Sequence, residues 1–225
     1  GEKAHEAFFR APDEQFDQAQ AYPFMKPIFG AGVVFDAENP EQRRQAMKNQ
    51  ALRDAQMRGH AEGIAAETEQ MCARLGQQGE IDLLSFFSEL TIYTSTACMI
   101  GQEFREEITG EFAELFHELE LGTDTLAYVS PHLPLSSFRR RDRARAALVD
   151  RIETIIAGRR QAGRKTGDLV GVLTSLVDEQ GVPRYSADQI TGMFISMMFA
   201  GHHTTSGTAA WTLIDFDKPQ KGLLK

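Results

Sequence analysis

The run Phe199-Ala200-Gly201-His202-His203-Thr204-Thr205-Ser206-Gly207 sets imidazoles beside hydroxyls and a glycine in the middle of an apolar stretch. That combination can move protons, because histidine titrates near neutral pH and an adjacent hydroxyl both donates and accepts hydrogen bonds. It is costly where it stands. A glycine inside a helix loses about 1 kcal/mol relative to alanine, and Ser or Thr hydroxyls there bond carbonyls one turn back and tend to bend the helix. Two arrangements explain such a run: a flat or oxygen-rich ligand laid against the small residues, or a second helix crossing closely at the notch. Neighbouring residues point about 100° apart around a helix, so His202 and His203 are not expected to chelate one metal, and His202 reads as structural.

The element that positions this run is legible upstream. Ser186 followed by Gln189 forms a capping box, which predicts a helix from near Ala187 through Ile190, Met193, Phe194, Met197 and Met198 towards Trp211 and Ile214. Roughly thirty residues give a rod about 40 Å long. Its apolar residues surround it, as in a buried central helix, and the apolar part before Gly201 is too short for a membrane span. A second informative segment is Tyr22-Pro23-Phe24-Met25-Lys26-Pro27-Ile28-Phe29-Gly30-Ala31-Gly32-Val33-Val34-Phe35-Asp36. Pro23, Pro27, Gly30 and Gly32 forbid a regular element, while Tyr22, Phe24, Phe29 and Phe35 are too apolar for a solvated loop. The segment must bury its rings, either over its own satellite cluster or as the lid of a cavity.

Ala200-Gly201-His202-His203-Thr204 resembles the oxygen-activation motif on the central helix of cytochrome P450 enzymes, where small residues lie beside the haem and an ionisable residue precedes a threonine. His203 in place of the usual acid resembles the sterol 14α-demethylase branch. Residues 22–36 are similar to a signature of the same branch, and the two motifs stand in the expected order. The resemblance implies an all-α chain: the mainly helical part of the cytochrome P450 fold, incomplete, with the sheet region largely absent. It covers 1–214 as a partial domain. Residues 215–225 lose both the helical pattern and the likeness, with Pro219 as a helix stop, and read as a tail beyond a truncation, frameshift or assembly junction.

What the resemblance implies for function is a haem monooxygenase that removes the 14α-methyl group of a sterol in successive oxidations, with electrons from NADPH delivered by a ferredoxin or reductase. By the same resemblance, Tyr22 with Arg44 and Lys48 would hold the haem propionates, and Ala200 and Gly201 would make room for the ring. Arg44 and Lys48, four apart, share one helical face, and Arg43 points elsewhere. His203 and Thr204 would handle protons and oxygen, and Phe24, Met25, Phe29, Val33, Phe35, Met197 and Phe199 would line the sterol cavity. The axial thiolate of the family comes from a glycine-rich loop after the central helix. Cys72 and Cys98 both lie in helical contexts and read as packed side chains, so no metal ligand is assigned and the 225 residues alone are expected to be inactive. The competing reading is a helical protein that binds a hydrophobic ligand without catalysis, or a remnant without function.

Composition bounds these readings. A chain of 225 residues with 42% hydrophobic content can bury a sizeable core, and a formal charge of −8 argues against nucleic acid or an anionic membrane as partner. Cysteine usage fits a reducing compartment, which favours a cytoplasmic location. Helical spacing marks 41–58, 61–75, 81–100, 111–121, 136–156 and 169–177, with 81–100 deep in the core, 122–135 a loop and 158–167 a linker. Val33 to Phe35 carries the one strand signal, and the Arg139-Arg140-Arg141-Asp142-Arg143-Ala144-Arg145 cluster reads as a solvated face.

Overall fold

The computed structural model describes residues 1–12, 15–37 and 54–217. Those residues form helices α1 (Glu2–Arg10), α2 (Gln18–Ala21), α3 (Lys26–Phe29), α4 (Asp54–Cys72), α5 (Leu83–Met99), α6 (Gln102–Leu121), α7 (Leu126–Val129), α8 (Ser136–Gln161), α9 (Leu169–Ser175) and α10 (Ala187–Asp217). No strand occurs among them beyond one isolated bridge between Val177 and Pro183, in keeping with the all-α expectation.

Local chemistry sets the ends of these helices. The capping box forms as read: the Ser186 N–H donates to Gln189 Oε1 at 3.0 Å and the Gln189 N–H to Ser186 Oγ at 3.2 Å. Asp82 caps α5 through the Ser85 N–H, 2.7 Å, and Asp168 caps α9 through the Gly171 N–H, 2.8 Å. Gly101, at φ +125°, turns the chain sharply between α5 and α6, a conformation costly for other residues.

The long α10 packs on α5, α8, α9 and α3, while α6 lies against α8 and α5, and α4 covers α5. Leu148, Ile152 and Ile156, one turn apart on α8, meet Phe104, Phe112, Phe116 and Leu119 of α6 and Ile190, Phe194 and Met198 of α10 in one core. That core is confined to the first half of α10. Met193, Phe194 and Ile195 are buried, but Trp211, Leu213 and Phe216 are exposed, so the helix is not buried along its length as its composition suggested.

Several other boundaries differ from the sequence reading. Residues 54–72 form one continuous helix through Gly59, and this α4 packs on α5. The loop at 122–135 contains α7, α8 continues past Gly158, and α10 keeps its form through Asp217, whereas Val34–Asp36 is a 3-10 turn, not a strand. Ile81 and Leu84 are exposed, so the start of α5 is not deep in the core. The arginine cluster is divided: Arg139, Arg140 and Arg143 face water, but Arg141 is fully buried and Arg145 partly so.

Arg145 fixes the relation between the lid, residues 22–36, and α10. Its Nε donates to the Ile28 carbonyl at 3.0 Å while Nη1 and Nη2 grip both carboxylate oxygens of Asp188, at 2.5 and 2.9 Å. Below this clamp the lid backbone crosses α10 at Gly192, where an added Cβ would overlap the Phe29 carbonyl oxygen. Gly192→Ala is therefore expected to destabilise the fold by at least about 2 kcal/mol, since overpacking against backbone cannot be relieved by a side-chain shift. Gly201→Ala, whose Cβ would meet nothing, is expected to gain up to about 1 kcal/mol. Urea unfolding of the two variants checks both signs.

Candidate functional site

The notch sits where α10 leaves the core. Thr204 Oγ1 donates to the Ala200 carbonyl at 2.7 Å and Ser206 Oγ to that of His202 at 2.8 Å, the back-bonding expected of hydroxyls inside a helix. Among the described residues no helix crosses at Gly201, around which a Cβ would find open space. Beside the notch runs an open trough of about 640 Å³, lined by Phe87, Thr204, Thr205, Thr208, Ala209, Thr212, Leu213 and Phe216. Its floor of short side chains leaves room for a flat group, with Phe87 as one apolar wall. Ala200 and Gly201 precede Thr204 on the same helix, the Ala200 carbonyl accepting its hydroxyl.

The two histidines have different environments. His202 is 4% exposed, its Nε2 lies 3.0 Å from Ser88 Oγ on α5, and its ring meets Phe116 of α6 edge-on. Burial strips the imidazole of water, and the neighbouring His203 adds to the effect, lowering the His202 pKa to about 4. His203 stands largely in solvent with Nε2 2.6 Å from Glu120 Oε1 at the end of α6. Sequence reasoning missed Glu120. The only signal was its place immediately after the apolar stripe of α6, and only the packing of α6 shows that this flank faces the notch. Nor do the histidines diverge as helix geometry suggested, for one ligating atom from each of Glu120, His202 and His203 lies within 4.8 Å of the others.

An aromatic row joins the lid to this point. Tyr22 stacks on Phe35 at 4.5 Å, Phe35 lies 5.7 Å from Phe29, Phe29 meets Phe199 edge-on at 5.7 Å, and Phe199 meets Phe116 at 5.2 Å. Tyr22, Met25, Phe29, Val33 and Phe35 line a hollow of about 200 Å³. That volume lies below the range of about 300–1,000 Å³ usual for small-molecule pockets, so the lid provides one wall and not a whole chamber. Phe24 points away, buried with Ala127 and Phe138 under Tyr128, and Met197 packs half-buried against the main core. Arg44 and Lys48 lie outside the described residues.

Two further contacts hold the lid in shape. Asp36 accepts from the Gly32 N–H at 2.9 Å and pairs with Lys26 at 2.9 Å. Burial works against its charge, but these two partners outweigh it and hold the carboxyl below its ordinary range. Val34 is held at φ +54°, a strain of roughly 1–3 kcal/mol for a β-branched residue that the surrounding contacts must offset.

A family model for cytochrome P450 matches residues 2–216. The chain belongs to the cytochrome P450 family. It is 58% identical over 218 residues to the sterol 14alpha-demethylase of Mycobacterium tuberculosis (strain ATCC 25618 / H37Rv), covering 96% of this chain and 48% of that protein. It is 55% identical to the sterol 14alpha-demethylase of Mycolicibacterium vanbaalenii, over the same shares, and 33% identical to the obtusifoliol 14-alpha demethylase of Sorghum bicolor, over 91% of this chain and 42% of that protein. The chain thus spans about half the length of the curated relatives it matches. Among the described residues no helix is long and apolar enough to cross a membrane.

Within this cytochrome P450 chain, the buried His202 ties stability to pH. Its folded pKa lies below the ordinary 6.5, so between about 4 and 6.5 the unfolded chain binds the proton more readily. Stability from this group is complete above that window and is lost as pH falls through it, by up to about 3 kcal/mol. Urea midpoints measured from pH 7 down to pH ~4.5 should fall, and His202→Gln, which keeps a partner for Ser88, should flatten the slope.

Proposed function

We propose that the complete protein is a haem-thiolate monooxygenase that removes the 14α-methyl group of a sterol. The observation that carries this reading is that Thr204, on the wall of a trough of short side chains, stands next to His203, which meets Glu120 of α6. The sterol and obtusifoliol demethylases that the chain resembles supply the substrate class.

Haem with a thiolate ligand supplies the cleavage of dioxygen that the reaction needs. The trough of short side chains would take a flat macrocycle, with Ala200 and the unobstructed Gly201 assigned to its edge and Tyr22, Arg44 and Lys48 to its propionates. The thiolate is assigned to neither cysteine of these 225 residues. Cys72 is exposed at the end of α4, and Cys98 rests against the His60 carbonyl at 3.9 Å with its thiol pushed up by burial and then by Glu67. Electrons are assigned to NADPH through a ferredoxin or reductase. Such a protein would work in the cytoplasm.

The chain's own residues then divide the work. His203 is open to water and its Nε2 stands 2.6 Å from Glu120 Oε1, so the pair links solvent to the notch. Thr204 holds the next proton at Oγ1, which now rests on the Ala200 carbonyl and reaches the trough by rotation about its side chain. Met25, Phe29, Val33, Phe35 and Phe199 present an apolar wall to a polycyclic substrate, Met197 supports it from the core, and Phe24 anchors the lid from behind.

In the complete enzyme, Thr204→Ala should raise the NADPH consumed per sterol demethylated, and an unchanged ratio would remove Thr204 from the mechanism. His203→Ala should slow turnover by about a hundredfold, the usual contribution of a proton-transfer group, with little change in sterol affinity. The 225 residues loaded with haem, reduced and exposed to carbon monoxide, should lack the Soret band of a thiolate-ligated iron; its appearance would overturn the assignment of the ligand outside them.

A further inference from the structure

We infer that Glu120, His202 and His203 form a binding site for a divalent transition metal, zinc above all, bridging α6 and α10 beside the notch. One ligating atom from each residue lies within 4.8 Å of the other two, close enough for a small contraction to place all three around one ion. Two imidazoles and a carboxylate, with a position left for water, are a donor set that zinc takes in proteins.

The state of the individual atoms points to a cation. His202 is 4% exposed, and its Nδ1 is buried without a hydrogen-bond partner among the described residues. Its Nε2 lies 3.0 Å from Ser88 Oγ, so a proton donated there leaves Nδ1 as a free lone pair, the arrangement by which an outer contact prepares a metal-binding imidazole. Glu120 Oε1 is likewise closed off from water. Its 2.6 Å approach to His203 Nε2 is an ion contact without the alignment of a hydrogen bond. Buried polar atoms left unmatched in this way are uncommon in folded proteins. A cation between them would satisfy both.

Packing explains why adjacent helical residues converge. Phe116, one turn before Glu120 on α6, holds the His202 ring edge-on, and the two imidazole centroids stand 4.9 Å apart. His203 remains on the solvent side, which gives an ion a way in. On the catalytic reading of His203, zinc here would withdraw its imidazole from proton traffic and slow turnover without displacing sterol. That consequence rests on the proposed function, whereas binding itself does not.

The test is calorimetric titration of the purified full-length protein with zinc, beside magnesium, with thermal unfolding of the same samples. Zinc should bind once at this site and raise the melting temperature, and magnesium, which prefers oxygen donors, should do neither. His203→Ala and Glu120→Gln, both with part of the side chain in solvent, should retain the fold and weaken zinc binding by at least about tenfold. His117, 4.0 Å from the other Glu120 oxygen, serves as control, and His117→Ala should bind as the parent does. Zinc affinity unchanged in both His203→Ala and Glu120→Gln, or lost in His117→Ala alone, would overturn the site. Zinc that binds as expected while turnover is unaffected would leave the site standing and count against the proton role of His203.

Discussion

The contact on which the rest depends is the passage of the lid over α10, with the Phe29 carbonyl against Gly192. A backbone can approach a helix this closely only where a side chain is missing. Once that approach is made, Phe29 reaches Phe199, Val33 enters the core, and Asp188 comes within range of Arg145. Gly30, at φ +90°, then reverses the chain beside the guanidinium of Arg145. The apolar wall of the hollow and the direction of the aromatic row are consequences of this crossing.

Buried arginines secure the remaining layers. Arg159 joins α8 to Glu103 of α6, to Asp168 and Thr166 before α9, and to the Ile100 carbonyl. Burial opposes its charge, yet the Asp168 and Glu103 carboxylates outweigh that cost and raise its pKa. Arg141 donates to the Pro131 carbonyl at 2.9 Å and lies over the Phe138 ring, holding the segment around α7 to α8. A charge removed from water stabilises only where its partners are in place, so each arginine acts as a test of correct assembly as well as a tie.

These ties leave α10 with two halves of different character. The half beneath the lid is surrounded, and its residues are fixed by packing. The half beyond Gly201 has a row of threonines and large apolar side chains on an open face, with Trp211 and Phe216 in solvent. The histidines stand at the boundary. One faces the core and stays neutral because it is desolvated, and the other faces water beside a carboxylate. Adjacent residues acquire opposite chemistry because the boundary of burial passes between them.

By itself, the sequence determined the elements that depend on near neighbours. The capping box started α10 where Ser186 and Gln189 required, the threonine and serine hydroxyls bonded back within the helix, and the motifs at 22–36 and 200–204 identified the family. Hydrophobic spacing found most of the long helices, but it misplaced ends at two glycines tolerated inside a helix, Gly59 and Gly158. Tertiary structure alone decided what depends on residues far apart in the chain: that Gly192 and not Gly201 is the glycine of closest approach, that Arg141 and Arg145 turn inward from a charged run, and that Glu120 meets His203. Periodicity reports which side of a helix is apolar. It carries no information about which carbonyl, carboxylate or ring from another element will stand opposite, and those partners set the charge state and reach of the groups at the notch.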